Sequence, residues 1–240
     1  MNRSSKTRNY YLNTLWCRTL AFAVLAAYAL CDAERFLSDL TASPLRLSPL
    51  TLVWLLLMLS MLLRFFPSRL ESLGCQKEFS RRFSPTGNAV SPEEIRKADR
   101  GALWVALSWL ALNGVFWLLY FLGITDRRFM VCLAAFYGVC DIICILFFCP
   151  FQAWMMRNRC CTTCRIFNWD YIMICTPLMA LTGPMARAAC LLSVALLLRW
   201  EITYRHKKER FFESSNSNLR CSQCQEQLCK YKRALSRKTK

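Results

Sequence analysis

Apolar residues along this chain gather in long blocks, and most charged residues fall between them. The first block is Trp16–Cys31, with Leu20–Leu30 at its centre. Arg3, Lys6, Arg8 and Arg18 stand at its start, and Asp32, Glu34 and Arg35 follow it. A second block, Leu50–Phe66, closes at Pro67, and a third covers Ala102–Leu122. The fourth, Phe129–Phe148, is stopped by Pro150. A fifth segment, Tyr171–Gly183, is short, is interrupted by Pro177 and ends at Gly183-Pro184. The sixth, Met185–Tyr204, follows with almost no loop. Water does not solvate such blocks, and lipid does not solvate the charges between them. The pattern predicts an all-α, polytopic transmembrane helix bundle of about six spans over residues 1–204, five being the alternative. A basic cysteine-containing tail, 205–240, follows the bundle.

Local signals refine this outline. Ser91-Pro92-Glu93-Glu94 combines a capping serine, a first-turn proline and a capping-box glutamate, so a helix starts here and runs into the third block. Ala27 and Ala29 give the small-residue spacing of a signal-peptide cleavage site. The long polar lead, with Tyr10, Tyr11 and Trp16 as an interfacial belt, favours a retained first span. Ser214-Ser215-Asn216-Ser217-Asn218 reads as a flexible link, and Asn113 as a cross-helix hydrogen bonder.

Charge adds orientation. The chain has 32 Lys and Arg against 15 Asp and Glu, a net +17, and the excess is unevenly placed. Alternate polar segments carry Arg3/Lys6/Arg8, then Arg69/Lys77/Arg81/Arg82/Arg96/Lys97, then Arg157/Arg159/Arg165, then the tail. The intervening segments carry few cations, among them Arg35, Arg46 and Arg187. In a six-span arrangement the basic set lies on one side, which predicts that both termini are cytoplasmic. Anionic lipid head groups are the partner this charge implies. No nucleic-acid-binding motif accompanies it, so no nucleic-acid partner is expected.

Fifteen cysteines supply the candidate chemistry. Cys160, Cys161 and Cys164 form C-C-x2-C after the fourth block, and Cys221, Cys224 and Cys229 form C-x2-C-x4-C in the tail. A CxxC knuckle turns two thiolates toward one ion, which suits tetrahedral zinc or an iron–sulfur cluster. A hairpin of the fifth and sixth spans returns the chain to one face, so Cys161, Cys164, Cys221 and Cys224 are expected to share a metal, with Cys160 and Cys229 as spare ligands. Arg157, Arg159, Arg165, Arg220 and Lys230 would stabilise thiolates there. The competing readings are thiols without metal and redox-active thiol pairs. Cys75 is a further cytoplasmic thiol, and Cys140 and Cys144 share a helical face. A metal path past Cys149, Met155 and Met156 is a weaker alternative. His206, the sole histidine, reads as a solvated cation at a helix C-terminus. Asp141 is a carboxylate at membrane depth, to be read as a packing residue or as a transport or proton-relay group.

Three segments carry a resemblance: Cys149-Pro150-Phe151-Gln152, Asn158-Arg159-Cys160-Cys161, and Cys164-Arg165-Ile166-Phe167-Asn168-Trp169-Asp170. Together with Ser217-Asn218-Leu219-Arg220-Cys221 they resemble small cysteine-rich bacterial integral membrane proteins of unassigned function. The resemblance covers the second half of the chain, implies a bacterial cytoplasmic membrane and implies no activity. No P-loop, GxSxG, HExxH or dinucleotide fingerprint is present. The leading expectation is therefore a non-enzymatic multi-pass membrane protein with a cytoplasmic cysteine-ligated metal site. A membrane thiol-redox or electron-transfer enzyme and a transporter built on Asp141 are the alternatives.

Overall fold

The computed structural model describes residues 3–41, 46–158, 160–224, 226, 228 and 229. Among these the fold is helical, with α1 (Arg3–Cys31), α2 (Ala33–Thr41), α3 (Pro49–Leu63), α4 (Leu73–Gln76), α5 (Pro92–Phe121), α6 (Arg127–Leu146), α7 (Asp170–Cys175) and α8 (Pro184–His206). Arg159 and, in the basic tail, residues 225, 227 and 230–240, Lys230 among them, lie outside the described residues.

Capping explains where several helices begin. The Ser48 hydroxyl accepts the Thr51 N–H, and Pro49 opens α3. Ser91 forms the expected capping box: its hydroxyl accepts the Glu93 N–H and Glu94 accepts the Ser91 N–H, each at 3.2 Å. Asp126 accepts the Phe129 N–H at 2.9 Å to start α6. Each cap satisfies an N–H group that the helix itself leaves unpaired.

Among the described residues three helices are long and apolar enough to cross a membrane: Lys6–Cys31, Pro92–Phe121 and Arg127–Leu146. Helix α3 is apolar but has 15 residues, about 22 Å of rise against a hydrocarbon core of about 30 Å. The 23-residue α8 carries Arg187, Arg199 and Glu201 along its length. The fifth apolar segment is a six-residue α7 continued by a five-residue 3-10 turn, Thr176–Ala180, and its Tyr171, Ile174, Cys175 and Leu178 are buried. Pro177 lacks an N–H and breaks the helix. Indole groups from α5 serve the break: Trp109 donates to the Thr176 hydroxyl at 3.1 Å and Trp117 to the Thr176 carbonyl at 3.3 Å. Backbone irregularity at membrane depth is tolerated where the protein supplies such partners.

Apolar side chains face outward along the bundle, including Leu107, Leu110 and Leu118 of α5 and Leu191 and Leu198 of α8. Buried charges, among them Asp39, Arg64, Lys77, Glu78 and Asp170, are enclosed by the helices and their connecting segments. That distribution is stable in lipid and not in water.

At one end the polar segments meet as a cap. Tyr11 of α1 accepts the Ser72 N–H, and the Lys77 ammonium donates to the carbonyls of Thr162 and Cys164. Arg210 donates to the Glu78 carbonyl at 2.8 Å. Residues 214–218 are an ordered strap, contrary to the flexible link expected from their composition. The Thr86 N–H donates to the Ser215 carbonyl, the Ser217 N–H to the Ser84 carbonyl, and Asn216 is fully buried. Small polar side chains that favour a loop in isolation have here found specific backbone partners.

Candidate functional site

Among the described residues the helix packing leaves cavities, two of which reach the capped end. The first, about 360 Å³, runs along α3 between α1, α6, α7 and α8. Its far end is apolar, walled by Leu25, Leu40, Leu50, Val53, Leu178 and Met185. Its other end is charged. Arg18 Nη1 donates to Asp141 Oδ2 and to the Gly138 carbonyl, both at 2.8 Å. Arg64 reaches across to Asn168 Oδ1 and Asp170 Oδ2, both at 3.0 Å, and its Nε lies 3.1 Å from Glu71 Oε1. The ring of Tyr171 stacks beneath the Arg64 guanidinium. Asp170 Oδ1 and Arg64 Nε are both buried and, among the described residues, have no hydrogen-bond partner. Two guanidinium groups therefore face three carboxylates at this end.

The second cavity, about 320 Å³, lies beyond Asp141, Ile145, Asp170 and Ile174, which border both spaces. Cys140, Cys144, Cys149, Cys161 and Cys164 line it, with Trp109, Tyr137, Phe151 and Phe167. The Cys161 thiol donates to Gln152 Oε1 at 2.7 Å and points at the Cys144 carbonyl, 3.7 Å away. The Gln152 N–H donates to Cys149 Sγ at 3.4 Å. A turn of π-helix, Phe151–Met156, holds Gln152 in place after Pro150, and Arg157 closes it with a left-handed φ of 50°.

The cap supplies titratable groups outside the membrane-spanning helices. Lys77 is 1% exposed, lies against the Trp200 and Phe211 rings, and is pulled down to about 8 by burial. Glu78, beside Arg199, is pushed up to about 7 because burial outweighs the attraction of Arg199 and Arg64. Burial also raises the Cys75 thiol well above its ordinary range. Such a thiol stays protonated and is a poor nucleophile. Arg165 binds both Glu201 oxygens, at 2.9 and 2.6 Å, and Asp99 at 2.8 Å, tying α5, the cysteine loop and α8 together.

The residues singled out from sequence fall into separate places. Cys161 faces Gln152, Cys160 pairs with the Thr162 hydroxyl at 2.7 Å, and Cys164 is buried beside Ala102, Val105 and Met156. Cys221 is exposed, while Cys224 and Cys229 are half-buried. Among the described residues no group of three or more His, Cys, Asp or Glu is placed to hold a metal. The tail nevertheless docks on the same face as the loop. The Leu73 N–H donates to Glu226 at 2.9 Å, Leu228 packs on Tyr11, Ile142 and Leu146, and α4 also touches the Cys161–Thr163 turn. Met155 meets Ser108 and Met156 packs against α5, so neither joins Cys149 in one chamber. Asn113 makes its cross-helix contact, accepting from the Tyr137 hydroxyl at 3.4 Å. His206 is exposed in the last turn of α8.

Four participants escaped the sequence reading: Arg18 as the partner of Asp141, Arg64, Asp170 and Gln152. A signal existed for the first. Arg18 and Asp141 are opposite charges inside two neighbouring apolar blocks, and such residues usually pair. Gln152 carried no signal, because its role comes from the π-turn. Searches of family models, curated proteins and solved structures found no match to this chain.

Proposed function

We propose that this chain is a non-enzymatic, multi-pass membrane protein that binds a single-chain amphiphile between α1, α3, α6, α7 and α8. The observation that carries the reading is the first cavity, apolar along its length and charged at one end. Its volume lies in the range of small-molecule sites. Its span from Leu50 to Arg64 is about 20 Å of helix, suited to a hydrocarbon chain. The excess of carboxylates over guanidinium groups favours a head group that donates hydrogen bonds, such as a hydroxyl or an amine, over a phosphate.

The same reading takes six crossings, with α7 and its 3-10 turn as a broken fifth and both termini cytoplasmic. The meeting of the basic segments in one cap supports that orientation. The cap's cations would lie against anionic head groups. The likeness of the Cys149–Asp170 region to bacterial membrane proteins is the ground for a bacterial cytoplasmic membrane. The Arg18–Asp141 contact favours a structural pair over a proton relay at Asp141.

Displacement of a fluorescent fatty amine from the purified protein by dodecanol, dodecylamine and dodecyl phosphate tests the reading. Dodecanol and dodecylamine compete and the phosphate is weaker by at least about tenfold, a difference of about 1.4 kcal/mol. Leu57→Trp, which fills the cavity wall, abolishes binding. Equal competition by all three, or undiminished binding to a folded Leu57→Trp protein, overturns it.

A further inference from the structure

The second cavity has a chemistry the amphiphile does not use. Cys144 lies in the last turn of α6, and the chain turns at Pro150 so that Cys149 comes back beside it. Both thiols line the second cavity. Gln152 holds Cys149 through its N–H and Cys161 through its side-chain carbonyl, and its own amide is fixed on the Asn158 carbonyl at 2.9 Å. Apart from Asp141 and Asp170, which already face Arg18 and Arg64, the lining is uncharged.

We propose that Cys144 and Cys149 form a two-thiolate site for a soft monovalent metal ion of the copper(I) and silver(I) class, with Cys161 as the entry thiol. Thiolate donors select soft ions. Structural zinc takes four ligands, and no group of three or more ligating side chains converges among the described residues. A d¹⁰ monovalent ion is content with two sulfurs, which Cys144 and Cys149 present to one cavity. Binding exchanges two S–H bonds for two metal–sulfur bonds, releases two protons and changes no oxidation state, so affinity rises with pH. Cys161 belongs to the polar cap and points at the Cys144 carbonyl, so an ion held by the 160–164 loop passes inward by thiol-for-thiol exchange.

The full-length protein, purified anaerobically, is titrated with copper(I) against a chromogenic copper(I) chelator. One ion binds per chain. Cys144→Ser and Cys149→Ser each weaken binding by at least about 100-fold, the upper end of what loss of an outer-shell partner costs. Cys221→Ser/Cys224→Ser leaves it unchanged. A folded Cys144→Ser protein with wild-type affinity, or a loss that follows the tail cysteines, overturns the proposal. A second measurement needs no variant: silver(I) added to the wild-type protein shields Cys144 and Cys149 together from a membrane-permeant alkylating reagent, read by peptide mass spectrometry. Shielding confined to Cys221, Cys224 or Cys229, or none at all, overturns it. Amphiphile displacement is a separate readout, so either reading can fail alone.

Discussion

Removing one member of the Arg18–Asp141 pair is expected to cost more than removing both. The pair joins α1 to α6 at 2.8 Å, inside the bundle. Breaking a buried ion pair from one side costs about 3–5 kcal/mol, because the remaining charge is left desolvated, whereas apolar replacement of both partners is often near neutral. The two side chains keep 21% and 18% exposure, which places the cost of Arg18→Leu or Asp141→Leu at the low end, about 3 kcal/mol. The double variant is expected within about 1 kcal/mol of wild type. Reversible unfolding in mixed detergent–SDS micelles, followed by circular dichroism, measures all four proteins. Simple addition of the two single costs in the double variant refutes the pairing argument. Single costs under about 1 kcal/mol, the value of an exposed pair, refute it equally. A fully stable Asp141→Asn protein that loses a solute or proton flux would instead assign Asp141 to transport.

Two further outcomes concern the cap. At Gly74 an added Cβ would lie 2.7 Å from the Phe167 ring, so Gly74→Ala is expected to destabilise by about 1–3 kcal/mol, reversing the helix-propensity gain of up to about 1 kcal/mol, and to speed proteolysis of the cap; unchanged protection refutes the close approach. Cap stability is expected to have a trough between pH 7 and 8. Glu78 titrates near 7 when folded against an ordinary 4.5, so the folded cap holds the extra proton and its stabilising contribution, full below pH 4.5, is lost as pH rises to 7. Lys77 titrates near 8 against an ordinary 10.5, so the unfolded chain holds the extra proton and stability rises from pH 8 to 10.5. Each limb is about 3 kcal/mol deep, and hydrogen exchange at residues 73–79 across this range reads both. Lys77→Met abolishes the alkaline limb; its persistence in that variant refutes the assignment to Lys77.

The sequence was most legible where one local cause suffices. The start of α5 at Ser91, the ends of α1 and α6 and the cross-helix role of Asn113 follow from capping, block length and the cost of an unpaired amide in lipid. Legibility fell where a partner distant in sequence decides. Residues 214–218 have a linker's composition and become a strap because Ser84 and Thr86 pair with their backbone. The CxxC spacings are those of a metal knuckle, yet each thiol's direction is set by neighbours: Gln152 turns Cys161 inward, while Ala102, Val105 and Met156 enclose Cys164. Spacing fixes which thiols are able to meet, and tertiary packing fixes which do.

Lipid explains why polar contacts carry so much of this bundle's specificity. Apolar burial contributes little to helix association in a solvent as apolar as leucine, so packing, small residues and hydrogen bonds decide which helices meet. Here α1 finds α6 through Arg18 and Asp141, α3 finds α7 through Arg64 and Asp170, and α5 finds the broken segment through Trp109 and Trp117. The last two contacts fix α7 and its 3-10 turn between their neighbours even though α7 is too short to be held by length alone. They also locate the cavities. Side chains committed to polar partners near the capped end cannot relax to fill space, and Asp141 and Asp170, both so committed, stand between the two voids. The charges that specify the fold thus also define the walls at which a ligand would be read.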